Sequence, residues 1–189
     1  MYLYFNLNLS YNQAMKEKHI IAISGKQYSG KDTLAKLLLK DLPDYKRIGI
    51  GDAIKIEYGR QNNLTFDEIE KNKHLYRDDL IKLGNWGRAQ DDRYWLKNLV
   101  GFDKIIVPDV RVPFEVNFLK ENGAFLVRVE SDFEARSKRG KIVNPNDNTE
   151  VALDNYNQWD IVIYNNSDFE TLLNEESKVF KKYLAFMSS

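Results

Sequence analysis

An α/β fold, a parallel sheet with helices on both faces, follows from three features of the sequence. Apolar runs of strand length alternate with helical stretches along the chain, the order of βαβ units. Residues 19–24 (HIIAIS) are a short apolar run bounded by glycine, the mark of a buried strand. Residues 31–42 (KDTLAKLLLKDL) then repeat leucine at helical spacing, with Pro43 just beyond as a stop.

The remaining elements follow in order. Residues 47–50 read as a second strand, and 52–60 and 66–83 as charged helices. A further helix is expected at 91–100. Residues 104–107 (KIIV) form a buried strand, and 114–122 a helix ended at Gly123. Residues 124–129 are a strand, 133–139 a charged helix, and 140–150 a polar loop. The last strand is 161–164 and the last helix 169–186. Ligands of such sheets bind beyond the carboxyl ends of the strands.

Composition narrows the chemistry. The chain has 189 residues, enough for one domain with a buried core. Lys plus Arg and Asp plus Glu balance at 28 each, so nothing in the overall charge draws the protein to a nucleic-acid polymer or an anionic membrane. Anion binding must come from a local site. There is no cysteine and there are only two histidines, His19 and His74, which argues against zinc catalysis and a Ser-His-Asp triad. No apolar run approaches the roughly 18 residues of a membrane span. Residues 1–18 are expected to be a flexible leader without the basic start of a secretory signal. Residues 19–189 are expected to be a single domain. The expected compartment is the cytoplasm, and the expected assembly a monomer or homodimer.

Gly25-Lys26-Gln27-Tyr28-Ser29-Gly30-Lys31 fits G-x-x-x-x-G-K between a strand and a helix, the context that gives this motif its meaning. Glycines let backbone N–H groups curl around a phosphate, and the helix N-terminus adds partial positive charge. Gly25, Lys26, Ser29, Gly30, Lys31, Asp32 and Thr33 are therefore expected to hold the phosphates of ATP, with Lys31 neutralising the β and γ oxygens. The usual Ser/Thr after the lysine is Asp32, and Thr33 comes one later. Asp32 and Thr33 are candidate Mg²⁺ ligands. The other reading of Asp32 is a favourable charge in the first helical turn, and the sequence does not separate the two.

An acceptor region is expected at about 52–95. Asp52, Lys55 and Tyr58 follow the second strand, with a capped surface helix as the equal alternative. Arg77 and Arg88 suit a dianionic phosphate through bidentate hydrogen bonds. For Arg77 alone, a charged helix face laced with ion pairs explains as much. Asp109 and Arg111 follow the strand at 104–107, and a carboxylate and an arginine at a sheet end favour function over surface decoration. Arg136 and Arg139 share one face of a charged helix that ends at Gly140. They are the candidate catalytic residues of a mobile lid at about 133–150, closing over ATP and stabilising the transferred phosphoryl group.

Together these motifs, with Asp109-Val110-Arg111-Val112-Pro113-Phe114-Glu115, the 150–154 segment EVALD and the 160–165 segment DIVIYN, resemble the phage and bacterial deoxynucleoside monophosphate kinases. That resemblance spans residues 19–173. Animal-type phosphomevalonate kinases are nearly as similar, through Lys55-x-x-Tyr58, the 64–66 segment LTF, the 76–84 segment YRDDLIKLG and Arg88-x-x-Asp91. They typically carry D-T-R-R where this chain has Asp-Val-Arg-Val-Pro, which tilts the resemblance to the nucleotide kinases. Both imply a P-loop NTPase fold of three layers with a small lid, ATP as co-substrate, Mg²⁺, and a small phosphorylated acceptor whose own phosphate oxygen attacks. Such an oxygen is already ionised, so catalysis is positioning and charge neutralisation.

Two other classes are less well supported. A GTPase switch needs N/T-K-x-D and D-x-x-G; Asn72-Lys73-His74-Leu75 lacks the aspartate, and no D-x-x-G occurs. A non-catalytic nucleotide-binding module explains the loop but not the placing of Asp109, Arg111 and the arginines at 136 and 139.

Overall fold

The computed structural model describes residues 19–99 and 101–188. The expected leader at 1–18 lies outside them. The chain divides into two compact units.

The first unit contains the described residues up to Arg47 and those from Gly101 onward. It holds β1 (His19–Ser24), α1 (Lys31–Asp41) and β2 (Lys46–Arg47). After the second unit come β3 (Lys104–Val110), α5 (Pro113–Glu121), β4 (Phe125–Glu130), α6 (Phe133–Arg139), α7 (Asn148–Val151), β5 (Ile161–Tyr164) and α8 (Phe169–Met187). The five strands form one parallel sheet in the order β2-β3-β1-β4-β5. Ile21, Ile23, Ile106, Phe125, Val127, Val129 and Ile163 pack with Leu34 and Leu38 of α1 and Leu172, Val179 and Tyr183 of α8. Their strand neighbours Ile20, Ala22, Ile105, Val107 and Leu126 point the other way and are buried too, and α5 packs on β1 and β4. Both faces are covered, which is why the strands read as unbroken apolar runs.

Pro108 sits inside β3, where a missing N–H would break a regular ladder. The β1–β3 register shifts there: Ala22 pairs with Val107 and Ser24 with Val110, so β3 carries one extra residue. This bulge absorbs Pro108 and sets the direction of Asp109 at the strand's carboxyl end.

The second unit, within Ile48–Val100, holds α2 (Ile50–Asn62), α3 (Phe66–Lys71), α4 (Lys73–Gln90) and a 3₁₀ turn (Leu96–Leu99). Ile50, Ile54, Ile69, Trp95, Leu96 and Leu99 are buried. Trp95 donates from Nε1 to the Gly84 carbonyl at 2.9 Å, and a Cβ on Gly87 would lie 2.4 Å from its indole.

Several element boundaries differ from expectation. Ile50 begins a helix rather than ending a strand, because the Asp52 carboxylate accepts from Gly49 N at 2.8 Å and starts α2 early. The single helix expected at 66–83 is two, since Asn72 leaves helical geometry and its side chain caps the Glu68 carbonyl. Of the helix expected at 91–100, the 3₁₀ turn is what forms among the described residues. The polar loop at 140–150 gains the short α7, capped by Asp147, which accepts from Thr149 N at 2.9 Å. No described helix is long and apolar enough to cross a membrane.

Candidate active site

The G-x-x-x-x-G-K segment leaves β1 and enters α1 as the motif requires. Tyr28 (φ 59°) and Gly30 (φ 100°) take left-handed conformations within the turn. Three successive carbonyls of this loop are held by donors from elsewhere in the unit. The Gln27 carbonyl accepts from Arg136 Nη1 at 3.2 Å, that of Tyr28 from Arg139 Nη1 at 3.1 Å, and that of Ser29 from Asn165 Nδ2 at 2.8 Å. In a trans peptide the C=O and the following N–H point in opposite directions. Anchoring the carbonyls of Gln27 and Ser29 therefore turns the N–H groups of Tyr28 and Gly30 away from the anchors, as an anion-binding nest requires.

The two arginines are placed otherwise than the sequence suggests. Arg136 is buried, and its Nε also donates to the Ser131 carbonyl at 3.0 Å. Arg139 donates from Nη2 to the carbonyls of Asn165 at 2.8 Å and Ser167 at 3.2 Å. Gly140 lies against the Tyr28 ring, where a Cβ would come within 2.3 Å. This helix end is thus tied to the phosphate loop and to the chain leaving β5, where a mobile lid was expected.

Lys31 is buried at the start of α1, with Nζ 3.2 Å from Asp32 Oδ2. The Asp32 side chain is 57% exposed and Thr33 half-buried. Lys26 pairs with Asp154 at 2.7 Å.

At the carboxyl end of β3, Arg111 N donates to Glu115 Oε2 at 2.8 Å, and Arg111 Nη1 to Glu150 Oε1 at 2.7 Å. The other oxygen of Glu150 accepts from Gln27 N at 2.8 Å. Gln27 also exchanges two side-chain hydrogen bonds with the Val143 backbone, at 2.7 and 3.2 Å. One buried carboxylate therefore joins Arg111 to the phosphate loop.

In the second unit, Lys55 is 5% exposed, 3.0 Å from Asp52 Oδ1 and 2.6 Å from Glu70 Oε2, with its ammonium 5.1 Å from the Phe66 ring centre. Burial works against its charge, but Glu70 and Asp52 outweigh it and hold its pKa above the usual lysine value. Tyr58 donates to Asp79 at 3.3 Å beside the Tyr76 ring; burial, then the Asp79 charge, raises its pKa. Arg77 and Arg88 are half-buried on α4.

The family model for phosphomevalonate kinase matches residues 23–125, more than half of the chain. The chain belongs to the phosphomevalonate kinase family. It is a P-loop kinase acting on a small molecule. A solved structure, shikimate kinase from Aquifex aeolicus vf5, shares the fold with a TM-score of 0.52 at 18% identity, covering 88% of this chain and 98% of that one. No curated protein matches the chain significantly.

The stretch matched to the phosphomevalonate kinase family includes the phosphate loop, the second unit, Asp109 and Arg111. Arg136, Arg139, Glu150 and Asn165 lie beyond it, yet all four bond to the loop. Sequence reasoning missed the loop-holding parts of Gln27, Glu150 and Asn165, and it also missed Arg128. Arg128 is buried in β4, donates to Ser24 Oγ at 3.1 Å and to Glu130 at 2.8 Å, and lies 5.7 Å from the Trp159 ring. A lone arginine in the apolar run FLVRVE was the available signal.

Proposed function

We propose that the protein transfers the γ-phosphoryl group of ATP to the phosphate of phosphomevalonate. The observation that carries this reading is the Glu150 bridge. It holds Arg111, a cation suited to an acceptor phosphate, on the same buried carboxylate as the loop suited to the donor phosphates. Family membership supports phosphomevalonate as that acceptor.

An acceptor phosphate oxygen attacks the γ-phosphorus, the bond from that phosphorus to the β–γ bridging oxygen breaks, and ADP leaves. The attacking oxygen is already ionised, so no general base is assigned. Gly25, Lys26, Ser29, Gly30 and Lys31 hold the donor phosphates in this reading, with Lys31 on the β and γ oxygens. Arg136 and Arg139 act on the transferring group through the loop they hold. Asp52, Lys55, Tyr58, Arg77, Arg88, Asp109 and Arg111 are assigned to the acceptor. The exposed Asp32 carboxylate and the Thr33 hydroxyl are hard oxygen donors that fit Mg²⁺, which takes one or two protein ligands beside substrate phosphates. Bound there, Mg²⁺ supplies charge neutralisation on the phosphate oxygens.

A second reading, a deoxynucleoside monophosphate as acceptor, is favoured by Val112. Phosphomevalonate kinases typically carry a second arginine at this place in the D-T-R-R pattern. Here Val112 is buried ahead of α5.

ADP release measured against a panel of phosphomevalonate, deoxynucleoside monophosphates and shikimate decides between them. Turnover of phosphomevalonate well above the others supports the proposal. Preference for a deoxynucleoside monophosphate installs the second reading, and ATP binding without turnover of any acceptor defeats both.

A further inference from the structure

We infer that Glu150 is a positioning residue that sets Arg111 against the phosphate loop, and so fixes the separation of acceptor and donor phosphates. The inference rests on the assignment of Arg111 to the acceptor.

The Glu150 side chain is 2% exposed. A carboxylate buried to this degree requires partners for both oxygens, because an unpaired buried charge is strongly destabilising. The partners here include the Gln27 N–H on Oε2 and Arg111 Nη1 on Oε1. A carboxylate is planar and rigid, so engaging its two oxygens with different groups fixes those groups relative to each other. Gln27 is the third residue of the phosphate loop, and Arg111 directly follows β3, which carries Asp109.

Each partner is also fixed from a second side. The backbone N–H of Arg111 is held by Glu115, so its main chain and its guanidinium are both anchored. Gln27 gives its carbonyl to Arg136 and its side-chain amide to Val143. Val143, in the segment leading into α7, and Glu150, within α7, thus both meet Gln27. A guanidinium has five N–H donors, so the Nη1 contact to Glu150 orients the head without consuming the fork that grips a phosphate.

The residue type follows from this geometry. Glutamine keeps the shape but presents an NH₂ to one of two donors. Aspartate keeps the charge but is one methylene short of reaching both.

The test measures acceptor kcat and KM, ATP affinity by equilibrium binding without acceptor, and the thermal midpoint, with the acceptor identified by the panel above. Glu150→Gln is expected to raise acceptor KM at least ~10-fold, the scale of a lost charged hydrogen bond. ATP affinity is expected to stay within about 3-fold, since Arg136, Arg139 and Asn165 hold the loop carbonyls independently of Glu150. Glu150→Asp is expected to show the same acceptor-specific loss, and it keeps the question decidable if the glutamine variant does not fold. In an Arg111→Lys background, Glu150→Gln is expected to add less than about 3-fold, because the two residues act as one unit. Full additivity, an unchanged acceptor KM in both Glu150 variants, or an equal loss of ATP affinity overturns the inference. A normal acceptor KM in Arg111→Lys alone overturns the assignment of Arg111, and the inference with it.

Discussion

Asn165 Nδ2 donates to the carbonyl oxygen of Ser29 at 2.8 Å, joining the chain that leaves β5 to the last turn of the phosphate loop. The amide works at both ends, since Oδ1 accepts from Arg139 Nη2 at 3.3 Å. It also constrains the neighbouring residue. A Cβ on Gly30 would lie 2.3 Å from Asn165 Nδ2, and Gly30 already has φ 100°, so glycine is required there on two independent grounds. Asn165→Asp places a carboxylate oxygen against the Ser29 carbonyl and reverses the contact from attractive to repulsive. We expect ATP affinity to fall at least ~10-fold, on the scale of a buried polar group set against its own kind. Equilibrium ATP binding measures this. Unchanged affinity would show that the loop keeps its form without the contact.

Lys31 enters the site from the first residue of α1 and is buried beside the exposed Asp32. Lys31→Ala is expected to lower kcat at least ~10²-fold, the loss typical of a charged transition-state contact. Thermal stability should change little by comparison. Turnover within a few-fold of wild type would remove Lys31 from the chemistry.

The surroundings of Arg139 change what its replacement should do. A free lid arginine acts in the transition state and affects kcat above all. An arginine that donates to the carbonyls of Tyr28, Asn165 and Ser167 shapes the loop before ATP arrives. Arg139→Ala is therefore expected to raise the KM for ATP at least ~10-fold, given hydrogen bonds from a charged donor, with a smaller fall in kcat. Arg139→Lys should recover part of the loss, because one ammonium cannot reach carbonyls spread across a planar fork. A fall in kcat at unchanged ATP KM would restore the lid reading.

The parts of the site that lie within one motif were legible in the sequence, and the parts assembled from distant segments were not. Gly25 to Lys31 could be placed because strand, loop and helix are consecutive in the chain. The buried strands could be placed because coverage on both faces leaves unbroken apolar runs. Glu150 and Gln27 are 123 positions apart, and Asn165 and Ser29 are 136 apart, so no local period links them. Arg136 and Arg139 could be grouped by helical spacing, but spacing does not say whether a guanidinium faces water or a carbonyl. The helix boundary at Asn72 and the early start of α2 depend on single side-chain caps, which leave the apolar pattern unchanged.

In the second unit, Lys55 holds two carboxylates together in a site closed to water on the lysine's side. Lys55→Met removes the buried cation between Asp52 and Glu70, and is expected to destabilise the protein by about 2 kcal/mol, below the range for a wholly buried pair because Glu70 is partly solvated and keeps Lys73 at 3.5 Å. Glu70→Gln should be milder, since Asp52 still neutralises Lys55. Denaturant midpoints of the two variants give the comparison. Acceptor KM for Glu70→Gln adds a functional arm. An effect there much larger than the stability change would place Lys55 in contact with the acceptor.

Glu176 on α8 supplies a pH dependence whose sign can be worked out. Its side chain is buried, and burial, then the charge of Asp41 and a hydrogen bond with it, raise its pKa above the ordinary glutamate value of 4.5. Between 4.5 and the raised value, the folded protein binds a proton there that the unfolded chain has released. Stability from this group is therefore fully present below 4.5 and is lost as pH rises through the folded value, where a buried charge faces Asp41. Glu176→Gln keeps the hydrogen-bonding shape and cannot ionise. Its thermal midpoint relative to wild type should accordingly rise between pH 5 and pH 8, by a few degrees for a chain of this length. A difference that is the same at both pH values would mean that Glu176 titrates normally in the folded protein, with water or a cation reaching it beside α1.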